Sequence, residues 1–346
     1  MSSQIPLFPP APGEDDAAQA VLADVHANAR AIAEHLPDEV RFGTSSWSFP
    51  GWKGLVYSRE GTQTQLARQG LREYAQHPLL RTVGIDRTYY GPIAVDELRA
   101  YAAQLPPGFR CCTKAPASVT GLVMGPAAGS VRNPMFLSAD RFIHELLLPF
   151  ALVFQEHAGP FILEFPPFPR HERIDPREFL DRLDTFLGQL PTGFEYAVEL
   201  RDQRLLTTQY RDILERRQVA HTFNYWSAMP MPGKQAEIIA PENLPFSVIR
   251  LLLRPGTWYE DQRELYRPFN KIVNVDDTMR DQVTGLSDRV LTTGRKVWVL
   301  VNNKAEGSSP LTVMALAQQL ATRIAARRAG RLSRHGGPES TTPGPR

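Results

Sequence analysis

From residue 40 onward the chain alternates between two hydrophobic periods. Short runs of apolar, β-branched or aromatic residues fall at 41–47, 81–90, 109–115, 160–165, 195–201, 219–225, 247–253 and 296–302. Between them, the stretches 65–76, 95–104, 140–154, 176–190, 208–217 and 275–291 space their apolar residues three and four apart, as amphipathic helices do. A last helical stretch, 311–328, follows the eighth run. Strands separated by helices pair in parallel through right-handed crossovers. Eight such units over roughly 290 residues suit a closed (β/α)8 TIM-like barrel, which typically takes about 250. The competing arrangement is an open doubly wound sheet. It lacks support here, because the first strand runs into GTSSWS, whose single Gly43 makes no glycine-rich phosphate turn.

Outside this beat the pattern changes. Residues 16–39 are Ala-rich, with Val21, Val25, Ala29 and Ile32 on one face, which predicts a helix ahead of the barrel. Residues 1–15 and 330–346 are rich in proline, glycine and small polar residues and read as disordered tails, leaving 40–329 as the barrel domain. MSSQIPLFPPAPGEDD has no basic start followed by an apolar run, so it does not read as a signal peptide. The most apolar stretch, 146–154, is too short to span a bilayer and contains Pro149. Cys111 and Cys112 are adjacent and poorly placed for a disulfide. The expectation is a soluble, cytoplasmic protein without a membrane partner. The net charge of +2, from 39 Lys and Arg against 37 Asp and Glu, neither demands nor excludes a polyanionic partner.

In a barrel of this kind the chemistry sits at the carboxyl ends of the strands. Six of the eight runs turn charged or amide-bearing there, while their starts read as mostly apolar. This asymmetry yields the candidates. Glu199 and Arg201 share a strand face and can both enter the mouth, Glu199 as base and Arg201 as a ligand for anionic or hydroxyl groups. Lys114 is the candidate acid or anion clamp, and Asp86 a further catalytic candidate. Trp47, Tyr90, Asp202, Arg250, Asn302 and Asn303 complete a predicted substrate-binding set, and Arg254 is a further phosphate candidate. Glu164 and Glu199, on adjacent strands, raise a glycosidase-type pair, but the seventh strand offers Arg250 and Arg254 where such barrels commonly place a carboxylate. The eight histidines show no metal-ligand spacing, so no metal is predicted; His221, on the sixth strand, reads as a core residue. No cofactor is identified. The mouth is also aromatic, with Trp47, Phe49, Trp52, Tyr89, Tyr90, Tyr225, Trp226, Trp258 and Tyr259, which suits bases, sugars or other flat rings.

GTSSWSFPGW, VGIDRTYY, TKAPASVT, LEFPPF, AVELRD and the final VNN, in this order, resemble the YecE-like family, domain of unknown function 72, from about residue 41 to 320. The resemblance implies a TIM-like barrel and no established activity. It marks Gly43, Ser45, Trp47, Trp52, Thr88, Tyr90, Lys114, Pro116, Pro166, Pro167, Glu199, Arg201, Asn302 and Asn303. The chain departs from it at Gly84 and Asp86, where Glu and Asn are usual, at Asp202-Gln203, where His-Pro is common, and at Gly121, where a His is often found. Those losses argue against a family-standard acid/base or metal arrangement.

Finally, Gln4, Leu7 and Phe8 match the Q-x-x-L-F pattern of peptides that dock on bacterial sliding clamps, two adjacent apolar side chains filling a pocket. Three functions remain open from sequence. The first is a nucleic-acid-processing hydrolase recruited through that peptide. The second is an isomerase, lyase or hydrolase acting on a sugar or sugar phosphate. The third is a non-catalytic binding module.

Overall fold

The computed structural model describes residues 14–125, 131–168 and 174–335. Gln4, Leu7, Phe8 and His171 lie outside the described residues. The eight apolar runs form parallel strands: β1 Val40–Thr44, β2 Leu80–Ile85, β3 Cys111–Lys114, β4 Ala158–Phe165, β5 Tyr196–Leu200, β6 Ala220–Tyr225, β7 Ser247–Leu251 and β8 Val297–Val301. They pair in chain order, and β1 lies against β8 with Val40 opposite Val297, closing the ring. The fold is a (β/α)8 TIM-like barrel. At Gly43 a Cβ would lie 1.9 Å from the Thr82 carbonyl oxygen, so only glycine lets β1 and β2 approach where their register shifts.

Both strand faces are buried, and strand parity divides the core in two. Outward residues such as Phe42, Val83, Phe161, Val198, Phe223, Ile249 and Val299 pack in the large core under the helices. Inward residues Cys112, Ile162, Ala197, Ala220, Phe246, Val248, Trp298 and Leu300 form the small core that fills the ring. The same inward parity continues beyond this plug to both ends. At the amino end it reaches Arg41, Arg110, Glu195 and Lys296. The strand starts are therefore not apolar as the sequence suggested: a ring end that meets water turns polar whichever end it is.

The principal helices are α1 Glu14–Ala33, α2 Gln63–Gln69, α3 Val95–Ala102, α4 Leu148–Val153, α5 Pro176–Gly188, α6 Thr208–Arg217, α7 Pro232–Ile238, α8 Tyr259–Tyr266, α9 Asp277–Leu291 and α10 Ser309–His335. Buried Ala29 and Ile32 hold α1 to the body, where it packs on α10. The single helix expected over 140–154 is broken into an α turn at Ala139–Phe142, a π turn at Ile143–Leu147, and α4. Pro149 has no amide hydrogen to continue the ladder through that point. The short α7 and α8 escaped the periodicity, and α10 runs past Gly330 to His335. Among the described residues no helix is long and apolar enough to cross a membrane.

Candidate functional site

At the carboxyl end of the ring, five of the eight strands each deliver one ionisable side chain: Asp86 after β2, Lys114 on β3, Glu164 on β4, Glu199 on β5 and Arg250 on β7. Arg201 follows Glu199 on the same face. The register sets Glu164 directly beside Glu199, a like-charged pair that would repel. Two arginines resolve this. Arg250 donates through Nη1 to Glu199 Oε2 at 2.5 Å and Glu164 Oε2 at 3.1 Å, and through Nη2 to Asp86 Oδ2 at 3.2 Å. Arg201 donates through Nε to Glu199 Oε1 at 2.9 Å and through Nη2 to Glu164 Oε2 at 2.5 Å. Lys114 Nζ lies 2.9 Å from that same Glu164 oxygen. Three cations thus meet three carboxylates, and the floor of the mouth carries no net charge.

These geometries assign different capacities to residues that looked equivalent in the sequence. Glu199 is wholly buried and gives both oxygens to guanidinium groups. Burial alone would raise its carboxyl, yet Arg250 and Arg201 hold it at about 2. A carboxylate held so low is a poor base, and both Glu199 oxygens anchor the two arginines. Arg250 is likewise engaged by three carboxylates. Glu164, which the sequence raised only as half of a glycosidase pair, is the hub: its Oε2 meets Lys114, Arg201 and Arg250. Among the described residues no donor bonds its Oε1.

Lys114 stands at the edge of the network. Among the described residues its ammonium pairs with Glu164 alone, and it lies 3.5 Å above the centre of the Tyr89 ring. Burial lowers its pKa below the usual lysine value, and Arg250 and Arg201 push the same way against Glu164 and Asp86. Burial also raises the Tyr89 hydroxyl, with Glu164 adding to the shift. The sequence singled out Tyr90, but Tyr90 is 86% exposed and meets Tyr89 edge-on at 5.4 Å; it belongs to the rim rather than the floor. Both tyrosines sit on one 3-10 turn, Arg87–Tyr89 and its cap, so their order on that turn decides which faces inward. Trp226 lies under the Arg201 guanidinium at 4.4 Å, while Trp258 and Tyr259 are exposed beyond β7.

Three expected ligands have partners within the fold. Trp47 is buried, its indole donates to the Leu66 carbonyl, and its ring packs edge-on against Tyr101, so it fixes the loop after β1. Asn303 is buried with its Oδ1 accepting from the Ser309 amide and hydroxyl, which caps α10. Asp202 caps the 3-10 turn Gln203–Leu205 and pairs with Arg204. Asn302 remains half-buried at the mouth, its Oδ1 taking the Lys304 amide.

Among the described residues no group of three His, Cys, Asp or Glu side chains is placed to hold a metal ion. His221 points outward from the ring, between the Tyr210 hydroxyl at 2.9 Å and Gln235 Oε1 at 3.2 Å. Burial brings its pKa down to about 4, so it packs as a neutral ring.

A profile of the family described as "Protein of unknown function DUF72" matches residues 41–334. A solved DUF72 family protein from Thermotoga maritima MSB8 is 19% identical, superposes with a TM-score of 0.55, and the match covers 81% of this chain and 98% of that one. A DUF72 family protein from Enterococcus faecalis V583 gives 18% identity and a TM-score of 0.55, over 82% of this chain and 95% of that one. At these identities the likeness speaks for the fold. No curated protein matches the chain.

Proposed function

This chain belongs to the DUF72 family, and from that premise we propose that its barrel mouth is an active site for proton-transfer chemistry on a small, hydroxyl-bearing ring ligand such as a sugar derivative. The observation that carries this reading is Lys114. A nearly buried ammonium with a lowered pKa, one carboxylate partner and a ring face beneath it is suited to give and regain a proton. Glu164 Oε1 is the acceptor for a ligand hydroxyl, and Arg201 and Asn302 line the approach. Tyr90, Trp258 and Tyr259 offer flat faces at the rim against which a ring can stack. Glu199, Arg250 and Asp86 are positioning residues that hold Glu164 and Arg201 in place.

The test is turnover and binding across a panel of sugars and sugar derivatives with Lys114→Arg and Lys114→Met. Lys114→Arg keeps the charge yet cannot exchange a proton near neutrality. It is expected to bind the ligand within a few-fold of wild type while losing turnover by about 10²-fold or more. Unchanged turnover in Lys114→Arg would remove the reading.

The nucleic-acid reading draws on the same exposed rings, because unpaired bases stack on Tyr and Trp without regard to sequence. It requires binding of a single-stranded oligonucleotide that weakens steeply with salt. The Gln4, Leu7 and Phe8 peptide belongs to that reading. Capture of a purified sliding clamp by the full chain, lost in a Leu7→Ala, Phe8→Ala double variant, is its own test.

A further inference from the structure

Beside the neutral floor, two cations of the described residues stand on the loops after β7 and β8. Lys304 follows β8 and Arg254 follows β7. Lys304 is only 8% exposed, yet among the described residues its ammonium has no carboxylate and no hydrogen-bond acceptor. Its sole neighbour of note is the Tyr259 ring, 4.2 Å from Nζ to the ring centre. The lysine stem is buried while its ammonium lies on an aromatic face that balances only part of its charge. Arg254 is half-buried and its guanidinium likewise meets no carboxylate among the described residues. It is the positive group acting on the Tyr225 hydroxyl, which burial and the hydrogen bond to Asp276 push upward.

The neighbouring acids are engaged elsewhere. Asp276 takes the Tyr225 hydroxyl at 2.6 Å, and Glu306 binds Arg280 through both oxygens. The two loops are joined at their bases, where the Asn302 amide donates to the Leu251 carbonyl at 2.7 Å. Barrels of this architecture frequently seat phosphate in the loops after the seventh and eighth strands.

We propose that Arg254 and Lys304 form an anion subsite that holds a phosphoryl group, so that the ligand of the mouth is phosphorylated. This rests on the reading of the mouth as the ligand site and adds what that site selects. Floor and subsite divide the work. Lys114 and Glu164 meet the uncharged, reacting part of the ligand, and Arg254 and Lys304 meet its charged end. The separation lets the floor keep its internal ion pairs intact while an anion binds.

The experiment uses inorganic phosphate as the probe, titrated calorimetrically at low ionic strength into the full chain and four variants. Wild type is expected to bind at millimolar concentration. Arg254→Gln and Lys304→Gln should each weaken binding about tenfold, the loss of one charge-assisted contact. Lys114→Met and the surface control Lys234→Gln should stay within threefold of wild type. Absence of phosphate binding in wild type, or wild-type affinity in both Arg254→Gln and Lys304→Gln, overturns the subsite. Loss confined to Lys114→Met also overturns it, moving the anion to the floor and leaving the proton-transfer reading standing. A competition arm separates the sources of the phosphoryl group. Displacement of phosphate by a hexose phosphate at lower concentration than by a single-stranded oligonucleotide supports a small ligand. The reverse order keeps the subsite and overturns the small ligand in favour of a nucleic-acid backbone.

Discussion

The ring has charged residues at both ends, and the two sets are housed differently. At the amino end Lys296 pairs with Glu195 at 3.0 Å with 47% of the lysine side chain in water. Arg41 there lies over Trp298, its pKa lowered by burial and by the nearby Arg81 and Arg110. At the carboxyl end Glu164, Glu199 and Arg250 are almost wholly dry and bonded to one another several times over. Polar character at a strand end is thus no guide to function, because any end that meets solvent acquires it. Dry, over-bonded charge is different: it carries a large desolvation cost that a barrel needing only a lid could avoid with apolar side chains.

The contrast can be broken most forcefully by removing one partner from each set. Glu199→Gln leaves Arg201 and Arg250 underpartnered in a dry site and should cost about 3–5 kcal/mol of stability. Glu195→Gln, at the watered end, should cost under about 1 kcal/mol. Denaturant unfolding of the two variants decides; equal losses would erase the distinction.

Acid supplies a second, smaller probe. The folded pKa of Glu199, about 2, lies below its usual value, so the stabilisation is present above pH ~4.5 and disappears as pH falls toward 2. The amount is roughly 3 kcal/mol. His221, also depressed, adds in the same direction, since its neutral form is favoured in the fold and that advantage fades as pH falls from about 6.5 to 4. Stability measured from pH 7 to 3 should therefore fall in two stages, and the lower stage should be missing in Glu199→Gln.

Turnover sharpens the contrast on its functional side. With Lys114 as proton donor, activity should decline as pH rises through its lowered pKa, below the usual 10.5. A rate with no decline by the usual lysine value of 10.5 would leave Lys114 without that role. The smallest expected effect is ionic. Raising salt from 0.05 to about 0.5 M should weaken the exposed Lys296–Glu195 pair by a few tenths of a kcal/mol and leave the mouth network untouched.

Much of this was legible in the residues. Short apolar runs alternating with helical stretches dictate the ring, and parity places Glu199 and Arg201 on one face of a strand. Lys114, Asp86 and Arg250 stand out by their place at the carboxyl ends of strands. Register was not legible: nothing in the sequence says that Glu164 stands directly beside Glu199, and that neighbour relation makes Glu164 the hub. Nor does sequence show what a polar residue is already bonded to. Asn303 and Trp47 sit in motifs that look like ligands, but one caps a helix and the other braces a loop. Tyr89 and Tyr90 differ only by their place on a single 3-10 turn, which no periodicity reveals at that length.

The cancellation of charge across the floor also bears on kinetics. Six ions that sum to zero project almost no field past a few ångströms, so the floor cannot draw a ligand inward from bulk solution. Any pull on an anionic ligand therefore comes from charges outside the floor, Arg254 and Lys304 among them, and it should fade as salt is added.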